Sequence, residues 1–329
     1  MKVVILSGGY GKRLWPISSE DKPKQFIEYG KENKSMLQRN YQLLKTLNYN
    51  ISITSIKKYS DIIKEQTDRK IEIIEEPEKR DTFPAIANSL LYLLQNGEIK
   101  REDYVAFLPV DSCVEKAFYE NFERYAKILE SENKDIGLIG IKPKNISTQY
   151  GYIVLKQNKE QDYSIVDRFK EKPNIKEAEE LVKNGALINS GVFIIKAGNI
   201  YKYVEKYIPN TTYEKFREQY NKLPATSFDY EVLEKEQELI AFKSNCDWSE
   251  IGSWNTFADK IDKIKGSAYA YNSENTVIIN ELNIPIISIG NKNMIIAASK
   301  EGILICDKTE SRKLKEYLNN IEEEKNESN

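Results

Sequence analysis

Short apolar runs rich in β-branched residues alternate with longer amphipathic ones through most of the chain. Residues 3–6 (Val3, Val4, Ile5, Leu6) are apolar throughout and stop at Ser7-Gly8-Gly9, the pattern of a buried strand feeding a glycine loop. Met36, Leu37, Tyr41, Leu44 and Leu47 then recur at helical spacing and predict a helix over 35–47. Residues 71–74 predict a short strand. Pro84 opens a second helix over 85–94, in the first turn, where its missing N–H does no harm. Further strands are predicted at 104–108, running into Pro109-Val110-Asp111, at 136–141 and at 191–195. Strand-then-helix alternation with near-continuous apolar strands predicts an α/β fold on a doubly wound, mostly parallel sheet.

Near residue 265 the pattern changes. Residues 275–279, 284–289, 294–298 and 303–306 are four short β-type runs with polar or glycine turns between them. A helix is expected over 309–321. The expected organisation is therefore a main α/β domain over 1–262, a small β domain over 263–321 and a disordered tail over 322–329. So small a set of strands buries little by itself and must pack on the main domain or on a partner chain.

Composition narrows the chemistry. With 49 Lys+Arg against 51 Asp+Glu the net charge is −2, both signs interleaved, so nucleic acid is not the expected partner. The chain contains no histidine, which excludes Ser-His-Asp and Cys-His catalysis and the common His-bearing zinc and iron sites. Cys113, Cys246 and Cys306 are far apart and form no CxxC, as expected of a reducing cytoplasm. No apolar stretch approaches the ~20 residues of a membrane span, and the N-terminal run is too short for a signal peptide.

The first loop reads Leu6-Ser7-Gly8-Gly9-Tyr10-Gly11-Lys12-Arg13-Leu14-Trp15-Pro16. Glycines after a first strand let backbone N–H groups approach phosphate oxygens. The dinucleotide pattern fails because its third glycine would fall at Leu14, and the Walker A pattern fails at Leu6 and Arg13. A tight turn without a ligand remains the plain alternative. Arg13 argues against it, since a cationic fork beside backbone donors suits charge growing on a pyrophosphate leaving group.

This loop, with Pro23-Lys24-Gln25-Phe26, resembles the opening of the sugar-nucleotide pyrophosphorylases, and within them the mannose-1-phosphate guanylyltransferase branch. The resemblance continues in order through Glu76-Pro77-x-x-Arg80-Asp81-Thr82-x-Pro84, Leu108-Pro109-x-Asp111, Tyr150-Gly151-Tyr152-Ile153 and Phe169-x-Glu171-Lys172-Pro173. It resumes at Asn189-Ser190-Gly191-x-Phe193, Phe228-Asp229-Tyr230 and Trp248-Ser249-Glu250-Ile251-Gly252. It implies a Rossmann-like nucleotide-diphospho-sugar transferase fold with a C-terminal left-handed β-helix-like unit that helps form a homodimer. The implied reaction is attack by mannose-1-phosphate on the α-phosphorus of GTP, giving GDP-mannose and pyrophosphate. That nucleophile is already an anion, so no general base and no imidazole is required. The 329 residues leave no room for the isomerase domain that some relatives carry, and a single activity is expected.

Carried onto this chain, the resemblance implies a nucleotide site made of Leu6, Gly8, Gly9, Gly11, Lys12, Arg13, Glu76, Asp81, Thr82 and Pro109. Arg13, Lys24 and Lys172 would be the catalytic cations. Asp111, Gly151, Glu171, Lys172 and Asn189 would hold the sugar phosphate, and Asp111 with Glu250 would hold Mg²⁺. Three positions depart from the family pattern: Glu250 stands where Asp is usual, Ser112 where His is usual and Asp81 where Asn is usual. By the residues alone, Asp111 and Asp81 are each equally ordinary as helix caps, and Glu171-Lys172 as an exposed ion pair. Two other readings stay open: the same chemistry on another sugar-1-phosphate or nucleotide, and a catalytically weak regulatory protein that binds nucleotide-sugar.

Overall fold

The apolar run at the N-terminus is a strand, β1 (Lys2–Leu6), buried at every position. The computed structural model describes residues 1–9, 11–156 and 162–327. Two units make up the chain, one of Met1–Gly8 with Asn40–Trp248 and one of Gly9–Arg39 with Ser249–Asn329.

The first unit is built on nine strands: β1, β2 (Asn50–Ile56), β3 (Glu72–Glu76), β4 (Tyr104–Pro109), β5 (Ile136–Ile141), β6 (Tyr152–Leu155), β7 (Tyr163–Lys170), β8 (Leu187–Lys196) and β9 (Leu239–Ser244). They lie in the order β3-β2-β1-β4-β8-β5-β9-β7-β6. The first four run parallel. β8 is antiparallel to both β4 and β5, and β7 is antiparallel to β9 and β6. The sheet is thus mixed, which corrects the mostly parallel expectation. β6 and β7 pair antiparallel, as strands with so few residues between them must, since a parallel crossover needs a dozen or so.

β2 escapes the apolar-run criterion because Ser52, Thr54 and Ser55 are buried among its isoleucines. Ser55 Oγ donates to the Ser7 carbonyl and Thr54 Oγ1 to that of Ile74, so these hydroxyls cost little inside. The helices α1 (Met36–Thr46) and α2 (Thr82–Gln95) match the predicted spans, α2 starting two residues before Pro84. It packs on β1, β2 and β3. A third, α3 (Phe122–Ser131), packs on β5 and β8.

In the second unit the strands are β10 (Ile264–Lys265), β11 (Ala268–Tyr271), β12 (Val277–Asn280), β13 (Ile286–Ile289), β14 (Met294–Ser299) and β15 (Gly302–Asp307). β10, β12 and β14 stack in parallel, β11 and β13 form a second parallel pair, and β15 reverses onto β14. Successive strands therefore alternate between two stacks in coil-like fashion. The N-terminal loop belongs to this unit. Ser299 Oγ donates to the Pro16 carbonyl at 2.6 Å, the Trp15 ring lies against Gly302, and Lys22 pairs with Glu281 at 2.8 Å. These contacts join the loop to the C-terminal strands within one unit.

The last helix, α4 (Leu314–Glu327), runs through six residues of the expected tail; Ser328 and Asn329 lie outside the described residues. Good helix formers without Gly or Pro carry it on past Ile321. Among the described residues no helix is long and apolar enough to cross a membrane. All three cysteines are free thiols.

Candidate active site

Leu6 and Pro109 are in register at the carboxyl ends of the parallel strands β1 and β4. The Val110 N–H donates to the Leu6 carbonyl, so Gly8 and Asp111 leave the sheet side by side at that edge. Open α/β sheets present ligands at such an edge. The Asn40 carboxamide donates to the carbonyls of Val110 and Ser112 at 2.8 and 3.0 Å and clamps the peptides on either side of Asp111. Residues 112–114 form a short strand rather than a helix, and Glu115 precedes the next helix, so Asp111 is no helix cap. The Ser112 hydroxyl is buried with no hydrogen-bond partner among the described residues.

Glu76, the last residue of β3, is 5% exposed and its Oε1 has no hydrogen-bond partner among the described residues. A Cβ on Gly8 would lie 3.4 Å from that oxygen, so the carboxyl faces the start of the glycine loop. Burial pushes its pKa up to about 7, against the pull of Lys79 and with a small push from Asp81. Asp81 caps α2, its carboxylate accepting the Thr82 N–H at 2.7 Å, so the capping alternative is realised in the geometry. It does so at φ 71°, ψ −174°, a conformation non-glycine residues rarely hold. The Thr82 hydroxyl accepts the Phe228 N–H at 2.9 Å and ties the start of α2 to the segment 226–229.

Four of the expected sugar-phosphate residues converge. The Asn189 N–H donates to the Gly151 carbonyl at 2.8 Å, and a Cβ on Gly151 would fall 2.5 Å from Glu171 Oε2, so only glycine fits. Lys172 Nζ lies 2.7 Å from Glu171 Oε1. Burial disfavours the Lys172 ammonium, but the hydrogen bond and charge of Glu171, with Tyr230 and Asp229, together outweigh it and hold the pKa above the usual lysine value. Glu171 is itself buried, and its N–H donates to Glu234 Oε1 at 3.0 Å, whereas the Lys172 side chain is half exposed, so the pair is open on its lysine side only. Asp229, quoted in the Phe228-Asp229-Tyr230 motif but given no role there, accepts from Asn189 Nδ2 at 2.8 Å, 40 positions away. Nothing in the local sequence signals that partnership.

In the second unit Gly11 takes φ 73° and caps the turn Lys12–Leu14. The Lys24 side chain packs against it, and Lys24 Nζ donates to the Ile251 carbonyl at 3.3 Å. Lys24 is thus buried, unlike the surface lysine its Pro-Lys context suggests. The Arg13 guanidinium lies 3.7 Å from Glu250 Oε1, and the Glu250 carboxylate folds over Gly252. Trp254 is core, its Nε1 donating to the Trp15 carbonyl at 2.9 Å. Trp248, in the first unit, packs edge-on against Tyr150. Among the described residues no three Asp, Glu or Cys side chains converge as a ready metal cage. Asp111, in the first unit, and Glu250, in the second, are each a hard oxygen donor of the kind that divalent cations take.

A family model of nucleotidyl transferases matches residues 2–267. The chain belongs to the nucleotidyl transferase family. Such nucleotidyl transferases generally work with a divalent metal. The chain is 30% identical to the mannose-1-phosphate guanylyltransferase RfbM of Salmonella typhimurium over 96% of its own length and 72% of the relative's. It is 27% identical to the alginate biosynthesis protein AlgA of Pseudomonas fluorescens over 98% of its length and 72% of that protein's. Among solved structures, one described as mannose-1-phosphate geranyltransferase, from Thermus thermophilus, superposes with TM-score 0.80 at 24% identity over 98% of each chain. HddC from Yersinia pseudotuberculosis, solved with GMP-PN, shares the fold at TM-score 0.52 and 22% identity over 79% of this chain and 97% of its own. These two likenesses speak for the fold, which is that of the sugar-phosphate nucleotidyltransferases, with a strand-rich C-terminal region. The mannose-1-phosphate guanylyltransferase resemblance carried by the motifs is the one that the relatives bear out, and the protein is a nucleotidyltransferase enzyme.

Proposed function

We propose that the protein transfers GMP from GTP to mannose-1-phosphate, forming GDP-mannose and pyrophosphate. The observation that carries the guanine assignment is the buried Glu76 Oε1, partnerless among the described residues and facing Gly8. A carboxylate there accepts from the N1–H and 2-amino donors of guanine, a pair that adenine, cytosine and uracil do not offer together. The near-full-length similarity to named mannose-1-phosphate guanylyltransferases supports the sugar assignment.

In this reading Leu6, Gly8, Gly9, Gly11 and Lys12 cradle the triphosphate with backbone donors and charge, beside Pro109, Asp81 and Thr82. Arg13 stabilises the departing pyrophosphate, and Lys24, buried beneath Gly11, keeps the loop's shape and adds positive potential. Lys172 holds the sugar phosphate, kept charged by Glu171, whose other oxygen accepts from a sugar hydroxyl. Gly151 leaves room for the ring, and Asn189 offers an N–H. We assign Mg²⁺ to Asp111 and Glu250. Held there, the ion would supply charge neutralisation to the substrate phosphates.

We further read the coil-like C-terminal strands as the left-handed β-helix that the resemblance implies, and as the dimer interface. Tyr269 and Tyr271 pair in register with Ile287 and Ile289, and all four side chains are exposed. So apolar a sheet face suits a second copy of the chain.

Pyrophosphate release, measured over a panel of nucleoside triphosphates and sugar-1-phosphates, tests the whole reading. GTP with mannose-1-phosphate should turn over fastest, and Asp111→Asn should abolish turnover with the circular dichroism spectrum unchanged. Binding of nucleotide-sugar without turnover on any pair would favour the regulatory alternative.

A further inference from the structure

The Asn189 carboxamide is held at both ends. Its Oδ1 accepts the Gly191 N–H at 3.1 Å, and its Nδ2 donates to Asp229 Oδ1 at 2.8 Å. Because the Gly191 N–H can only donate and the Asp229 oxygen accepts, the amide has one orientation, and one Nδ2–H is left over. Asp229 opens a wide, π-helical turn, Asp229–Leu233, a local departure from regular helix that often marks a functional site. Its side chain is half-buried, and three other charged groups face it. Glu171 and Lys172 come from the loop after β7, and Asp81 from the cap of α2. On its own turn, Tyr230 lies beside Lys172.

We propose that Asp229 is a positioning residue for the sugar-phosphate site: it aims the free N–H of Asn189 at a sugar hydroxyl, and its charge makes sugar-phosphate binding depend on pH. This rests on the reading that Asn189, Glu171 and Lys172 hold the sugar phosphate. The geometry supplies the aim. The charge follows from the surroundings: burial first, then the Glu171 carboxylate, push the Asp229 pKa up to about 7, with Lys172 opposing and Asp81 adding. Below that pH Asp229 is neutral and still accepts from Asn189 through its carbonyl oxygen. Above it a second carboxylate stands next to Glu171, competes for Lys172 and repels the incoming phosphate. Sugar-phosphate affinity therefore weakens as pH rises through the Asp229 pKa, while GTP affinity is indifferent to it.

The test is steady-state kinetics of the full chain with GTP and mannose-1-phosphate on the wild type, Asp229→Ala, Asp229→Asn and Asn189→Ala. At pH 6 Asp229→Ala should raise the KM for the sugar phosphate about fivefold, the order expected for losing a hydrogen bond to a neutral acceptor, with the KM for GTP unchanged. Asp229→Asn, which retains an acceptor, should restore the KM at pH 6. The ratio of wild-type to Asp229→Asn profiles cancels the substrate's own titration and should show a single limb near pH 7. A flat ratio, or an Asp229→Ala KM equal to wild type while Asn189→Ala raises it, overturns the proposal and leaves the sugar site standing. If Asn189→Ala leaves the sugar-phosphate KM unchanged, both fall. Should Asp229→Ala fail to fold, the Asp229→Asn profile decides alone.

Discussion

The Arg13 guanidinium and the Glu250 carboxylate lie 3.7 Å apart, so the cation assigned to the leaving group and a carboxylate assigned to the metal are neighbours. Both are partly exposed, and such a pair adds well under about 1 kcal/mol to stability. Its interest is catalytic. Arg13→Ala should lower kcat by about 10²–10³-fold, the usual loss for one group that stabilises transition-state charge, with the melting temperature little changed. Glu250→Asp should preserve or raise activity and lower the Mg²⁺ concentration needed for half-maximal rate. A large loss instead would mean that the site is rebuilt around the longer side chain.

Glu76 predicts a pH-dependent stability. Its carboxyl is held near pKa 7 in the fold by burial, against an ordinary value of 4.5. A raised carboxyl pKa means the folded state resists ionisation. The penalty is absent below the unfolded pKa, grows between 4.5 and 7, and is complete above 7. Glu76→Gln should therefore stabilise the ligand-free protein at pH 8 by roughly 1–3 kcal/mol and have little effect at pH 4. Thermal melts of both proteins across that range check the sign. The same variant should lose its preference for GTP over other nucleoside triphosphates.

Gly11 stands at φ 73°, and a Cβ there would fall 2.5 Å from Lys24 Cγ. Gly11→Ala should destabilise the protein by more than about 1 kcal/mol, since both the backbone and the buried lysine must shift. GTP affinity should fall with it. Chemical denaturation and nucleotide titration measure the two effects separately.

Replacing Ile287 and Ile289 together by lysine places charge opposite Tyr269 and Tyr271 without touching the interior of the strands. The substitution should shift sedimentation from dimer to monomer at micromolar concentration. An unchanged sedimentation coefficient for a protein that is dimeric to begin with would move the interface elsewhere.

Much of this was legible in the residues. β1, α1, α2, β4 and β5 follow from apolar period alone, because each buries a continuous run or one clear face. β2 was hidden because its buried Ser and Thr hydroxyls find carbonyls only once the neighbouring strands are in place. The mixed sheet was hidden because strand direction depends on the length of a connection, which composition does not report. At the site, Gly151, Glu171, Lys172 and Asn189 were named by motif and are found together. Asp229 stands in a motif too, Phe228-Asp229-Tyr230, but no role could be given to it there, since its partner is a residue 40 positions earlier. The burial of Lys24 was likewise invisible: Pro-Lys reads as surface until Gly11 leaves space for the methylenes.

The hydrogen bond from Ser299 to the Pro16 carbonyl spans 283 positions, and Gly302 gives Trp15 its seat. During synthesis the glycine loop therefore leaves the ribosome long before the surface it packs against. At the usual pace of about 5–20 residues per second, the loop waits tens of seconds for its support. Until then its glycines and Trp15 are exposed to solvent and to other chains. A chain that stops before residue 299 lacks both the Ser299 hydrogen bond to Pro16 and the Gly302 seat of Trp15, so its first loop goes without that support.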